Sequence, residues 1–341
     1  RLFIGFIGAS FVITQVHTSL MFASNIVGTA NATSAGWGNL GGGANRLGMP
    51  LIAAVVIGFG VAEGEAWRYA MVIAGVVCFL MGIVYYFFTQ DTPEGNFKDL
   101  KASGIKIEKK KDQVSFGTVL KDYRTWILFF VYAACFGIEL TVYGTMDDYL
   151  QNTFQLERAT AGNIVLSFAL MNIFARTLGG FFGDKFGKLK GLRGRVLFLA
   201  AILAVQGVML MTFSTATSLI VGIVFLILFS LSVQMAEGAT FSVVPFINKK
   251  AIGSVSGIVG AGGNVGAFLA AMLLKSQSAV AEKAAIAVNQ GLGEEVIKAA
   301  QSAASATAVS SGYFIIGTIV VVTAVVSLSI RFSTEDEKVA E

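Results

Sequence analysis

Charge is what this chain has least of. Asp, Glu, Lys and Arg together make up 13% of its 341 residues, against 55% hydrophobic residues. A water-soluble domain carries about 25% charged residues, so a fold bathed in water on every side is excluded. Only three prolines occur, which argues against a disordered chain and leaves room for long helices. The two cysteines, Cys78 and Cys135, both lie in apolar runs, and His17 is the single histidine. That excludes a disulfide framework and a His/Cys metal-ligand pattern, and no metal or cofactor is expected. No clustered ligand set and no placed nucleophile pair is visible, so the chain does not read as an enzyme. The net charge of +4 does not mark a nucleic-acid partner either, because the basic residues gather in a few short loops.

What is present is a series of apolar runs long enough to cross a bilayer, each needing about 20 residues. Nine such spans are predicted: 2–27, 36–60, 67–89, 124–146, 160–183, 194–213, 217–243, 251–275 and 310–332. The 39 glycines fit such a bundle, because small residues let helix backbones approach where lipid supplies no hydrophobic drive. Segment 90–123, with its Lys109-Lys110-Lys111 run, reads as a hydrophilic linker. Segment 276–309 is rich in Ala, Ser and Gln and is expected to be a polar connection holding a short amphipathic helix.

The linker 90–124, the loop 184–195, the pair Lys249-Lys250 and the tail residues Arg331 and Lys338 hold 17 of the 25 basic residues. Loops on the other side hold five: Arg68, Arg158, Lys275, Lys283 and Lys298. The positive-inside rule therefore puts the linker and tail in the cytoplasm, with 276–309 outside, and the first span running inward. The expected class is an all-α polytopic membrane protein of two six-helix halves, the first three helices lying outside this chain. The expected divisions are 1–89 (helices four to six), the linker 90–123, the second half 124–332 and the tail 333–341.

Two passages repeat six spans apart: Gly36-Trp37-Gly38-Asn39-Leu40-Gly41 and Gly260-Ala261-Gly262-Gly263-Asn264-Val265-Gly266. That spacing fits duplicated halves with a site between them. No strand precedes and no Gly-Lys-Ser/Thr follows either passage, so a phosphate loop is excluded. Close packing accounts for most of the glycines, but an amide in hydrocarbon needs a partner or a polar cavity, which makes Asn39 and Asn264 cavity candidates.

Arg176 is the sharpest signal. It lies well inside a span, and its planar fork can hold a planar oxyanion with two parallel hydrogen bonds, as lysine cannot. The alternative is an ion pair with a buried carboxylate such as Glu139 or Glu237. Tyr132, Phe136, Glu139 and Tyr143 recur at spacings of four, three and four, sharing one helical face. Such a face can sandwich a flat anion, and Glu139 reads either as a proton acceptor or as an arginine's fixed partner. Arg46 is a second cavity cation or a structural charge. His17 and Glu237 read as structural. The turn Gly180-Phe181-Phe182-Gly183-Asp184-Lys185-Phe186-Gly187-Lys188 carries a charge cluster able to clasp neighbouring helices in one state and release them in another.

That turn resembles the loop signature of the major facilitator superfamily. The two Gly-Asn passages, with Phe136-Gly137-Ile138-Glu139, Phe174-Ala175-Arg176 and Gly238-Ala239-Thr240-Phe241, resemble the nitrate/nitrite porter family within it, particularly its high-affinity nitrate branch. The resemblance runs over the whole chain, as helices four to twelve. It implies import of nitrate or nitrite by alternating access coupled to protons. Substrate contacts would come from Arg176, Asn39, Tyr132, Phe136, Phe11, Asn264, Gly36 and Gly263, with Glu139 the proton-coupling candidate. A second substrate arginine, on helix two, would lie outside this chain, and Arg46 departs from the usual uncharged residue. The implied partners are nitrate or nitrite, protons and membrane lipid, for a monomer in the plasma or inner membrane. Nitrate/nitrite exchange, another small anion as cargo, and an anion sensor are the competing readings.

Overall fold

The structure, a computed structural model, describes residues 8–104, 115–334 and 336–337. The first residues of the expected span 2–27, the Lys109-Lys110-Lys111 run and Lys338 lie outside them. Helices follow one another in the order α1 (Ala9–Met21), α2 (Val27–Gly58), α3 (Glu63–Phe88), α4 (Phe97–Ala102), α5 (Phe116–Lys121), α6 (Tyr123–Tyr132), α7 (Ile138–Phe154), α8 (Arg158–Leu170), α9 (Ala175–Ser214), α10 (Leu219–Val243), α11 (Ile252–Val288) and α12 (Glu294–Ser327). A π-helical turn, Ala133–Gly137, joins α6 to α7. No strand occurs among the described residues, and the fold class is all-α as the apolar runs predict.

Seven helical stretches among the described residues are long and apolar enough to cross a membrane. The expected spans 160–183 and 194–213 fall together in Arg158–Ser214. The backbone leaves helical geometry there at Lys190 and Gly191, where φ is +62° at Gly191. Only glycine takes that conformation without a Cβ penalty, so the reversal sits where the sequence allows it. Of the expected span 2–27, the described residues hold the helix α1 over Ala9–Met21. Segment 276–309 holds helix over most of its length rather than one short helix. α11 runs on to Val288 and α12 begins at Glu294. Its alanines, glutamates and lysines favour helix wherever water replaces lipid, and no proline interrupts them.

The chain divides into two compact units, Arg1–Trp37 with Asp112–Glu341, and Gly38–Lys111. In the second unit α3 buries little beyond Ala66 and Ala70 and presents Phe79, Tyr86 and Phe87 outward. The first unit holds the core, built from α6 to α12 with Leu128, Val142, Leu199, Phe229, Val255 and Val320 among its buried residues.

Within that unit two stripes of four-residue spacing meet. Gly28, Ala32 and Gly36 recur every fourth residue on α2, and Arg176, Gly180 and Asp184 do so on α9. A Cβ on Gly180 would stand 2.2 Å from the Gly28 carbonyl and 2.5 Å from the Ala32 Cβ. A Cβ on Gly36 would stand 2.9 Å from the Asn172 carbonyl and 3.1 Å from the Arg176 Cβ. α10 presses as closely on α9, where a Cβ on Gly179 would lie 2.0 Å from the Met235 carbonyl. Backbones this close gain dispersion where burial from water gives nothing.

The residues after α12 are tied back onto the helix ends. Arg193 Nη1 donates to the carbonyls of Leu328 (2.7 Å) and Ile330 (3.0 Å), and Leu192 N donates to Glu337 Oε2 at 2.9 Å. Arg124 binds Asp336 at 3.0 Å. Burial pushes the Asp336 carboxyl up, but the Ser333 N–H and hydroxyl and the Arg124 guanidinium outweigh it and hold the group below the usual carboxylate range.

Gly179→Ala is expected to cost about 1–3 kcal/mol or more by overpacking. A lowered melting temperature of the purified protein would read it, with Gly144→Ala, where no atom lies within 4 Å of the added carbon, leaving that temperature unchanged.

Candidate functional site

α10 carries a single charged residue along its 25, Glu237, among the uncharged polar side chains of Ser230, Ser232, Gln234, Thr240 and Ser242. α9 opens with Arg176 one residue inside its start. Both side chains are 0% exposed, and Arg176 Nη1 donates to Glu237 Oε2 in a buried ion pair. Here the ion-pair alternative for Arg176 is realised, with Glu237 rather than Glu139 as the partner. Arg176 Nη2 donates to the Tyr132 hydroxyl at 2.9 Å. An ion pair closed off from water needs such further hydrogen bonds, because desolvation otherwise outweighs the attraction.

Aromatic rings wall this charge. Tyr132 stacks on Phe136 (5.2 Å between centroids, 11°) and on Phe11 (6.2 Å, 17°), and Phe241 meets both Tyr132 and Phe11 edge-on. The guanidinium carbon lies 5.8 Å from the Phe11 ring centre and 5.9 Å from that of Phe136. These distances are within the reach, about 6 Å, at which a ring quadrupole attracts a cation. Gly263 makes room for the rings, since a Cβ there would stand 2.5 Å from Phe136 Cδ1 and 3.1 Å from the Tyr132 ring. Gly238 does the same for the backbone, 2.1 Å from the Arg176 carbonyl.

The π-helical turn sits in the middle of this wall. It changes the register of the expected Tyr132–Tyr143 face, because each π turn spends an extra residue. Tyr132 and Phe136 face the arginine. Glu139, buried, accepts from Asn172 Nδ2 at 2.9 Å. Tyr143 is carried away to pack on Phe168 of α8.

The structure thus brings together Arg176, Tyr132, Phe136, Phe11, Glu139, Gly36 and Gly263. Asn264 is exposed and is not among the residues around Arg176. It lies one residue from Gly263, so a rotation of about 100° takes it off the face that meets the rings. Asn39 and Arg46 lie in the second unit, both half-buried there. Sequence reasoning ranked Glu237 as structural and passed over Asn172 and Phe241. The signal for Glu237 was present, since a lone carboxylate in an apolar helix is a functional hypothesis by default.

A second polar cluster lies eight residues further along α9. Asp184 accepts from the backbone N–H of Gly28 (3.1 Å) and Thr29 (2.6 Å) and from the Thr29 hydroxyl (2.7 Å). It also pairs with Arg195, which donates onward to the carbonyls of Ser242 (3.2 Å) and Ser24 (3.0 Å). A carboxylate here faces the start of α2, where unpaired N–H groups and the helix dipole favour negative charge. These bonds join the turn's charge cluster to the start of α2. No group of three or more His, Cys, Asp or Glu placed to hold a metal occurs among the described residues.

Residues 1–271 match the family described as Major Facilitator Superfamily. The chain is 42% identical to the high affinity nitrate transporter 2.5 of Arabidopsis thaliana, over 80% of this chain and 54% of that protein. It is 40% identical to the high-affinity nitrate transporter 2.3 of Oryza sativa subsp. japonica, over 79% and 52%. It is 27% identical to a nitrate/nitrite transporter of Picosynechococcus sp., over 82% and 68%. The chain spans about half the length of the two plant relatives. Among solved structures, a bacterial homolog of the human lysosomal transporter Spinster aligns with a TM-score of 0.55, over 90% of this chain and 71% of that one, at 16% identity. That likeness concerns the fold alone. The relatives bear out the resemblance to nitrate/nitrite porters, and with seven apolar helices they make this a multi-pass integral membrane protein.

Asp184→Ala leaves Arg195 buried without its counter-charge and is expected to destabilise the protein by about 3–5 kcal/mol. Thermal unfolding in detergent would measure it, and an unchanged transition would remove the clasp from the account of the fold.

Proposed function

We propose that this chain, which belongs to the Major Facilitator Superfamily, works as a secondary carrier importing nitrate or nitrite by alternating access, coupled to protons. The observation that carries this reading is a guanidinium at 0% exposure, flanked by the rings of Phe11 and Phe136 and bonded by the Tyr132 hydroxyl. A planar trigonal anion suits that surrounding. Its edge can take two parallel hydrogen bonds from the arginine and a third from the phenol, while its faces lie against rings. The names of the relatives, nitrate transporters from plants and a nitrate/nitrite transporter, favour the same cargo.

On this reading Arg176 is the charged contact, Tyr132 its hydrogen-bonding companion, and Phe11 and Phe136 the walls. Gly36 and Gly263 let α2 and α11 come close enough to complete them. Asn39 and Asn264 remain proposed contacts from the two Gly-Asn passages. Glu139 is the proton-coupling candidate, a buried carboxyl held in place by Asn172. The linker and tail lie on the cytoplasmic side, where the basic residues gather. Asp184 and Arg195 would then be joined to the start of α2 on that side, and breaking their bonds would accompany its opening.

Uptake of labelled nitrate into proteoliposomes, with the nitrate and pH gradients imposed separately and the membrane potential clamped, tests this reading. Uptake should follow the pH gradient, and indifference to it would leave exchange or uniport instead of proton symport. Arg176→Lys keeps the charge and loses the bidentate fork, so nitrate affinity should fall about 10-fold or more. Unaltered affinity in that variant would defeat the clamp.

A further inference from the structure

We propose that Glu237 is an internal stand-in for the transported anion. It holds the Arg176 guanidinium until nitrate displaces it, and the displaced carboxylate then takes up one proton from the bulk solution. This rests on the carrier reading above and assigns it a proton-accepting group and an order of events.

The guanidinium is already engaged by Glu237 and by the Tyr132 hydroxyl. An anion that bonds to the fork must therefore compete with a carboxylate already on it. Once displaced, Glu237 would be an ionised carboxylate among Tyr132 of α6, Cys135 of the π-helical turn, Glu139 of α7 and Arg176 of α9, the titratable and charged groups that face it. Arg176 would be neutralised by its new ligand, and none of the others offers a positive charge. A bare charge in such surroundings is far costlier than a protonated one.

Charge counting gives the same result. Arg176 with Glu139 and Glu237 is neutral when the two carboxyls share one proton. Adding a monovalent anion restores neutrality only if a second proton enters, so this cluster takes up one proton for each anion bound. Glu139 Oε2 and Glu237 Oε1 are both buried without a hydrogen-bond partner, so each carboxyl has an oxygen on which a proton can reside. Asn172 fixes Glu139 through its other oxygen. This refines the coupling role given to Glu139 above: Glu139 holds the resting proton throughout, and Glu237 is the group whose protonation follows the cargo.

Calorimetric titration of the purified protein in lipid nanodiscs with nitrate, from mildly acidic to mildly alkaline pH, tests this. Anion binding that takes up a proton weakens as pH rises, so the Kd should increase about tenfold per pH unit at the alkaline end. Glu139 bonds to Asn172 and not to the guanidinium, so it keeps its resting proton in Glu237→Gln; there the dependence should vanish and alkaline affinity should exceed that of the wild type. A dependence that survives in Glu237→Gln, or is lost only in Glu139→Gln, overturns the assignment while leaving the carrier reading intact. Should Glu237→Gln not fold, infrared difference spectra of the wild type provide the measurement. A protonated-carboxyl band must grow on nitrate addition and shift in heavy water, and its absence overturns the proposal. Wild-type protein that binds neither nitrate nor nitrite at any pH defeats the carrier reading and this inference together.

Discussion

A guanidinium removed from water must be compensated within a few ångströms, and the centre of this molecule is arranged to compensate one. Transfer of an ion from water to a medium of low dielectric costs several kcal/mol even after relaxation. Around Arg176 the compensation comes from α10 through Glu237, from α6 through the Tyr132 hydroxyl, and from the rings of Phe11 and Phe136. None of these reaches the arginine unless backbones approach to a distance that side chains would prevent. Gly238 lies where a Cβ would be 2.1 Å from the Arg176 carbonyl, and Gly36 where one would be 3.1 Å from its Cβ. The glycines are thus the condition under which the charge can be held at all.

The π-helical turn between α6 and α7 answers a related demand. In an uninterrupted α-helix the Tyr132–Tyr143 stripe would present all four side chains to one neighbour. The extra residue divides them, so that two rings face the arginine, the carboxyl of Glu139 turns to Asn172, and Tyr143 goes to Phe168. α11 presses on that turn, where a Cβ on Gly266 would lie 2.4 Å from the Ala133 carbonyl. Local distortions of this kind gather at functional sites because they aim side chains that regular geometry would misdirect.

Much of this was legible in the sequence, for reasons that can be named residue by residue. Apolar length and the scarcity of charge fix the class, and an arginine far from either end of a span announces itself through its cost. Tyr132 and Phe136 were legible as neighbours of the arginine because helical periodicity and the family resemblance agree on them, and Phe11 through the resemblance alone. Asn264 was not, since a Gly-Asn motif gives the residue types but leaves open which of two adjacent positions meets the neighbouring helix. The matched stripes Gly28-Ala32-Gly36 and Arg176-Gly180-Asp184 went unread because each is an ordinary four-residue spacing. Their meaning lies in being opposite one another, a fact about two helices that neither sequence segment contains. Which of the two carboxylates pairs with Arg176 stayed open for a similar reason, because Glu237 lies 61 residues away.

Those opposed stripes tie the two polar clusters together. Arg176 and Asp184 are eight residues apart on one face of α9, a separation of about 12 Å along the helix. Gly36 lies against the first and Gly28 against the second, on one face of the opening turns of α2. α10 follows the same axis, with Glu237 bonded to Arg176 and the Ser242 carbonyl to Arg195. Tilting the start of α2 away from α9 far enough to free Asp184 must therefore also loosen the contact of Gly36 with Asn172 and Arg176. Asn172 in turn holds Glu139. A helix pair packed backbone to backbone cannot give at one end and stay unchanged at the other, because close-packed interfaces shift between discrete arrangements rather than stretch. The clasp eight residues along α9 and the charge at its start are thus set by one interface, to which Asn172 joins Glu139.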